Sequence, residues 1–226
     1  MRLHRAFLTI VPMVVLTDRT PLATGHLRQV FQHPENPDYL IKVMRPDAVA
    51  SRWGAGSRWY KRLPRTQHYI GYVREIKEYV AMQARLRARS APIARMVGIV
   101  ETDFGLGLIS EKVRDEHGAL APTLAALYAR ENGFTPFIER ELARFFDDLL
   151  DCNVIVGDMH AWNIVHGIDS RGGPRLVLID GFGEKHVIPR SSMSRRFNAW
   201  NTRRLFRRMR AQLVELVPLN RSLAGA

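Results

Sequence analysis

The stretch Val154 to Val165, VIVGDMHAWNIV, constrains this chain more than any other. Two apolar runs rich in β-branched residues bracket the polar turn GDMHAWN. Such flanks read as buried segments. The turn between them is therefore a polar loop held against a core, a common place for reactive side chains. Asp158 and Asn163, five positions apart in it, carry side-chain oxygens, the first able to take a proton and both able to hold a metal ion.

A chain of 226 residues can form one good-sized core or two small lobes. At 46% hydrophobic and 25% charged it is neither disordered nor fibrous. The formal net charge of +12 is unusual, and arginine supplies most of it, since the only lysines are Lys42, Lys61, Lys77, Lys112 and Lys185. So much arginine reflects either a compositional bias or a surface that meets phosphate or another anion. Cys152 is the sole cysteine, which excludes an intrachain disulfide and suits the reducing cytoplasm. No apolar run has the length of a membrane span. Arg2, His4 and Arg5 before the apolar stretch Ala6–Leu16 give the outline of a short signal peptide. Pro12 interrupts that stretch and Asp18 and Arg19 follow it, so Met13–Leu16 is read as a first strand.

Leu27–Gln32 and Tyr39–Met44 are strand-like runs separated by the turn formers of HPENPD, an antiparallel hairpin. Lys42 lies in the middle of the second run. The ordinary reading is an edge position with the amine in water. The functional one is an ammonium reaching the phosphates of a nucleotide. Residues 45–67 read as a loop or short helical insert, and Gly54 and Gly56 there give only a fragment of a glycine-rich phosphate loop. Tyr69–Arg89 is expected to be helical, with Tyr72, Tyr79, Met82 and Leu86 on one stripe. Glu75 falls within that stripe. It is either marginal, with its head in solvent, or a paired partner for Lys42, because an unpaired buried carboxylate is costly. Glu78 is placed on the wetter face. Met96–Glu101 and Leu106–Val113 complete a five-stranded antiparallel sheet, joined by the turn at 102–105, and Arg114–Pro122 is a polar hinge.

Beyond Pro122 the pattern turns helical. Thr123–Arg130 is one short helix, and a second starts with Thr135 as N-cap and Pro136 as its first residue. Ile138, Leu142, Phe145, Phe146, Leu149 and Leu150 give the second a wide apolar face. After the opening loop, Arg175–Ile179 is a strand that delivers Asp180 to the glycine-rich turn DGFG. The segment between Glu184 and Glu215 contains no acidic residue. Its arginines from Arg190 to Arg210 alternate with Phe197, Trp200, Leu205, Met209, Leu213 and Leu216, a basic amphipathic helix. It either closes the second lobe with solvated arginines or meets an anionic partner such as nucleic acid, a membrane surface or a phosphorylated substrate.

The order of the signals carries more than any one of them: Gly25 in a turn, Lys42 in a strand, Glu75 in a helix, Asp158 and Asn163 in a loop, then Asp180 at a strand end. Asp158 and Asn163 have the D-x-x-x-x-N spacing of a kinase catalytic loop, and IKV matches the end of the kinase β3 pattern. On TGHLRQVFQHPENPDYLIKV, REIKEY, TDFGLGLISEKVRDEHGALAPTL, VGDMHAWNIV and LIDGFGE, the chain resembles the YrbL-like family of PhoP regulatory network proteins, within the protein-kinase-like superfamily. The resemblance runs from about Pro21 to about Pro189. It implies an α+β, bilobal protein-kinase-like fold. Residues 1–113 would form a small antiparallel sheet lobe with one helix, and 114–226 a mainly helical lobe. It implies ATP and Mg²⁺ as cofactors. Gly25, Lys42, Glu75, Glu111 and Val113 would bind the nucleotide, Asp158 would accept a proton from an acceptor hydroxyl, and Asn163 and Asp180 would hold the metal. His160 would brace the loop. The expected activity is phosphotransfer to an unidentified acceptor, a small molecule, sugar or protein, in a bacterial stress or envelope network. The glycine loop is reduced to Gly25 and the metal motif reads DGFG rather than DFG. These departures leave open a nucleotide-binding pseudokinase with a regulatory or scaffold role. A basic binder of nucleic acid or membrane surface is the third reading.

Overall fold

The structure is a computed structural model, and it describes residues 13–53, 67–86, 91–185 and 189–223, with the side chains of 67 and 216–223 excepted. The first dozen residues, Gly54 and Gly56, and the expected helix end at Arg89 lie outside the described residues. The chain divides into two compact units, one of residues 1–62 and 97–110 and the other of 63–96 and 111–226.

The first unit is built on an antiparallel sheet. Its strands are β1 (Ala23–Thr24), β2 (Arg28–Gln32), β3 (Tyr39–Met44), β4 (Met96–Thr102) and β5 (Gly105–Glu111), in the order β1-β2-β3-β5-β4. The hairpin of β2 and β3 sets Val30 opposite Lys42 and Phe31 opposite Ile41. The register puts alternate apolar residues on one face, where Phe31, Ile41 and Val43 form a core with Leu16, and the Phe31 and Phe104 rings stack at 5.8 Å. The expected first strand is instead a single parallel bridge between Val14 and Thr102. Asp103 explains its placement: its carboxylate accepts from Leu16 N at 2.8 Å, Thr17 N at 2.9 Å and Thr17 Oγ1 at 2.5 Å. A side chain thus does what a ladder was expected to do, and the two-residue β1 takes the sheet edge. After β3, Pro46–Trp53 forms the helix α1.

The second unit is mainly helical. It holds α2 (Ile70–Leu86), α3 (Leu124–Arg130), α4 (Pro136–Asp151), α5 (Arg190–Met193) and α6 (Arg195–Leu223) around one antiparallel hairpin, β6 (Ile164–Ile168) and β7 (Pro174–Leu178). The caps are those the residue types predict. Thr123 accepts from Ala126 N at 3.1 Å, and Thr135 accepts from Ile138 N at 3.3 Å with Pro136 beginning α4. Ile138, Leu142, Phe145 and Leu149 of α4 enter a core shared with Val154, Ile164, Leu178, Met209 and Leu213.

Two helix faces depart from expectation. On α2 the buried residues are Tyr72, Glu75, Glu78 and Met82. Glu78 is therefore inside, not on a wet face, because it accepts a hydrogen bond from Ile155 N at 2.9 Å. On α6 Trp200 is exposed, while Asn198 and Thr202 are buried. The Asn198 amide donates to the Val154 carbonyl and to Asn153 Oδ1, both at 3.0 Å, and this rotates the inward stripe away from Trp200. The α+β class, with an antiparallel sheet unit and a mainly helical unit, is as expected. Among the described residues no helix is long and apolar enough to cross a membrane.

Candidate active site

Backbone bonding explains why the opening stretch adopts its shape. Val154, Ile155 and Val156 are buried, so their amides and carbonyls need partners other than water. Val154 N donates to Leu149 O at 3.0 Å, and its carbonyl takes the Asn198 amide. Ile155 N goes to Glu78, and Ile155 O accepts from Gly183 N at 2.7 Å. Val156 forms an antiparallel bridge with Phe182. Gly157 N and Asp158 N then both donate to Gly181 O, at 2.9 and 2.7 Å. The polar loop is thus tied directly to the DGFG turn.

The same turn sets the side chains. Gly181 has φ +82°, and a Cβ there would lie 2.3 Å from Asp158 O, 3.0 Å from Asn163 Nδ2 and 3.2 Å from Asp158 Cβ. Only a residue without a side chain fits, and its absence lets Asp158 and Asn163 close around the turn that begins at Asp180. Asn163 is anchored on both sides, since its N–H donates to His160 O at 2.9 Å and its carbonyl accepts from Ile179 N at 2.8 Å. Asp180 Oδ1 accepts from Gly181 N at 2.5 Å. Asp158, Asn163 and Asp180 are therefore brought to one place by β7, its glycine turn and the loop before β6.

Two side chains hold the Asp158 carboxylate. His160 Nε2 lies 2.8 Å from Oδ1 and Lys185 Nζ lies 2.6 Å from Oδ2. Lys185 carried no role in the sequence reading; its position five residues after Asp180 is the only signal that could have singled it out. Glu78 and Asn198, which hold the loop from behind, were likewise missed, because side-chain-to-backbone anchors leave no periodic trace. Burial raises the Glu78 carboxyl above its usual range, opposed by the Ile155 hydrogen bond and by Arg85.

Of the remaining expected residues, Glu75 is 3% exposed, which rules out a head in solvent. Glu111 is buried and accepts from Ser170 N and, at 3.0 Å, from Ser170 Oγ. Val113 packs with Ala94, Ala121, Val165 and Val177, and its carbonyl accepts from Ala121 N at 3.1 Å. Gly25 and Lys42 belong to the sheet unit. Gly25 N donates to Arg28 O at 2.8 Å, and its carbonyl accepts from Arg45. Lys42 is 5% exposed on β3, an interior strand, so it is not an edge lysine with its amine in water.

Among the described residues no group of three or more His, Cys, Asp and Glu stands together. As metal ligands, Asn163 and Asp180 would offer only side-chain oxygens, and few of them. That suits magnesium, which keeps waters and shares its ligands with phosphates, better than calcium or zinc. His166 is engaged elsewhere, packing edge-on against Phe137 at 5.2 Å.

Residues 14–214 match the family described as PhoP regulatory network protein YrbL. The chain belongs to that family. The YrbL proteins of Escherichia coli (strain K12) and Shigella flexneri are each 26% identical to it over 216 residues, 93% of this chain and 93% of theirs. Solved structures that it resembles include residues 1–466 of Rad53 in complex with AMP-PNP, at 14% identity and a TM-score of 0.45 over 72% of this chain. A second is a double mutant of the Mycobacterium tuberculosis PknI kinase domain, at 16% identity and a TM-score of 0.41 over 71% of this chain. The chain spans 37% of the Rad53 chain and 56% of the PknI chain. Within the YrbL family, then, this member places a loop carboxylate, a loop amide and a strand-end carboxylate around one glycine turn.

Proposed function

We propose that this YrbL family member is a kinase-like phosphotransferase that uses Mg²⁺-ATP to phosphorylate an acceptor hydroxyl. The observation that carries the reading is the closure of Asp158 and Asn163 around the turn of Asp180. Phosphoryl transfer asks for positioning and charge neutralisation more than covalent chemistry. In this reading Asn163 and Asp180 hold magnesium, which when bound neutralises charge on the phosphates. Asp158 takes the proton of the acceptor hydroxyl as its oxygen bonds to the γ-phosphorus, and ADP leaves with the electron pair of the broken bond. Lys42 holds nucleotide phosphates, with Gly25, Glu75, Glu111 and Val113 completing the nucleotide set. Functionally the division falls at 113/114, with the phosphate-binding lysine before it and the catalytic and metal loops after it. Cys152, free and buried, suits work in the cytoplasm. The family supports a place in a PhoP-linked envelope or stress network.

The test is turnover. Asp158→Asn is expected to lower the magnesium-dependent release of ADP by about 10²–10⁴-fold, the usual weight of a general base. Unchanged turnover would remove Asp158 from its role.

A second reading has one observation in its favour. Both carboxylate oxygens of Asp158 already have cationic or imidazole partners, as they would in a protein that binds nucleotide and transfers nothing. Magnesium-dependent ATP binding without turnover over a broad panel of acceptors would select that pseudokinase. The third reading, a basic binder of nucleic acid or membrane surface, is weakened where arginines of α6 serve internal contacts. Arg210 makes a two-pronged pair with Glu139 at 2.6 and 2.7 Å, and Arg195 reaches Asp151 O at 3.3 Å.

A further inference from the structure

Beside Asp158, inside the helical unit, lies a cavity of about 220 Å³. One wall is Gly157, Glu184 and Lys185; the other is Asn201, Arg204 and Arg208. The last three recur at spacings that place them on one face of α6. Three cations thus face one carboxylate, and Glu184 Oε2 is engaged by Ser191 N at 3.0 Å and Ser192 N at 3.2 Å. No carboxylate among the described residues pairs with Arg204 or Arg208. The Arg204 guanidinium lies over the exposed Trp200 ring, 6.0 Å from its centroid.

We propose that this cavity receives the phosphate or carboxylate of a small-molecule acceptor, clasped by Lys185, Arg204 and Arg208. The proposal rests on the reading of Asp158 as the base, and it names the substrate class for that reaction: a hydroxyl compound that already carries an anionic group. The volume admits such a group and a few carbons, and the concave form separates it from a surface for a nucleic-acid backbone. Arginine forks suit phosphate and carboxylate oxygens alike. Lys185 joins the two functions. Its ammonium sits 2.6 Å from Asp158 Oδ2, so an acceptor anion drawing on that ammonium loosens its hold on the carboxylate. Oδ2 is then able to take the hydroxyl proton while the acceptor oxygen bonds to the γ-phosphorus and ADP departs with its electron pair.

The experiment is calorimetric titration of the full chain with inorganic phosphate and, separately, with acetate, without nucleotide or magnesium. Saturable one-to-one binding is expected. Arg208→Ala and Arg204→Ala should weaken it by about tenfold, the effect of losing a charge-assisted hydrogen bond. Arg203→Ala, an exposed change on the same helix outside the cavity, should leave it unaltered. Preference for phosphate assigns a phosphorylated acceptor and preference for acetate a carboxylated one; either supports the site. No saturable binding would overturn it. So would equal weakening by Arg203→Ala and Arg208→Ala. A short DNA oligonucleotide that binds more tightly than phosphate, and is weakened equally by Arg203→Ala, would also overturn it. Because these titrations contain no ATP, their failure is separate from a failure of the Asp158→Asn turnover test.

Discussion

At Gly181 a single hydrogen in place of a side chain decides whether the loop can close. Its φ of +82° and the 2.3 Å approach of a Cβ to Asp158 O leave no room for alanine. Gly181→Ala is expected to cost about 1–3 kcal/mol, the range for strained backbone. Magnesium-dependent ATP binding should fall with it, because Asp158 and Asn163 are displaced together. Thermal melts of wild type and variant check this, and an unchanged melting temperature would contradict it. Glu78 gives a prediction in pH. Burial raises its carboxyl above the unfolded value, against the Ile155 hydrogen bond and Arg85. The native state therefore holds this proton more tightly than the unfolded chain. The contribution is fully present below the unfolded value, about pH 4.3, and is lost as pH rises through the folded one. Glu78→Gln keeps an acceptor for Ile155 N, so its melting temperature relative to wild type should rise as pH goes from about 4 to about 7. A difference that falls over that window would contradict the assignment.

At the scale of elements, hydrogen-bond anchors matter as much as apolar faces. Asn198 ties α6 to the carbonyl of Val154, at the start of the stretch that carries Asp158. Asn198→Ala leaves that buried carbonyl unpaired and should destabilise by about 1–3 kcal/mol, whereas Trp200→Ala, at an exposed position, should cost far less. Comparative urea denaturation separates the two. Their order is the reverse of what apolar periodicity suggests. That reversal shows what sequence can and cannot convey. The α4 cap by Thr135 and Pro136, the β2–β3 hairpin and the strand leading to Asp180 were legible, because caps, turn residues and alternation are local signals. The burial of Glu78 and Asn198 was not, because each answers a backbone group distant in the chain: Ile155 N for one and Val154 O for the other. The first run was misread as a strand for the same reason, since the Asp103 carboxylate holds it from across the sequence.

For the whole molecule, each unit has its own core, and the proposed parts divide between them, with Gly25 and Lys42 in the sheet unit and the remainder in the helical unit. The order of those parts along the chain was visible without coordinates. The closeness of Asp158, Asn163 and Asp180 was not, because it depends on a glycine turn whose fit is three-dimensional. The sequence offered the arginines of α6 as either solvated or meeting an anion, and it could not choose, since a run of basic residues looks the same whether solvated or gathered around a cavity. The central claim is a magnesium-dependent nucleotide site, and a thermal-shift titration with ATP, with and without magnesium, on wild type and Asp180→Ala tests it most directly. With magnesium and ATP at about a hundred times its dissociation constant, wild type should gain roughly 2.7 kcal/mol of stability, and Asp180→Ala should lose most of that gain. No shift in wild type under any condition, or an equal shift in Asp180→Ala and without magnesium, would contradict the account.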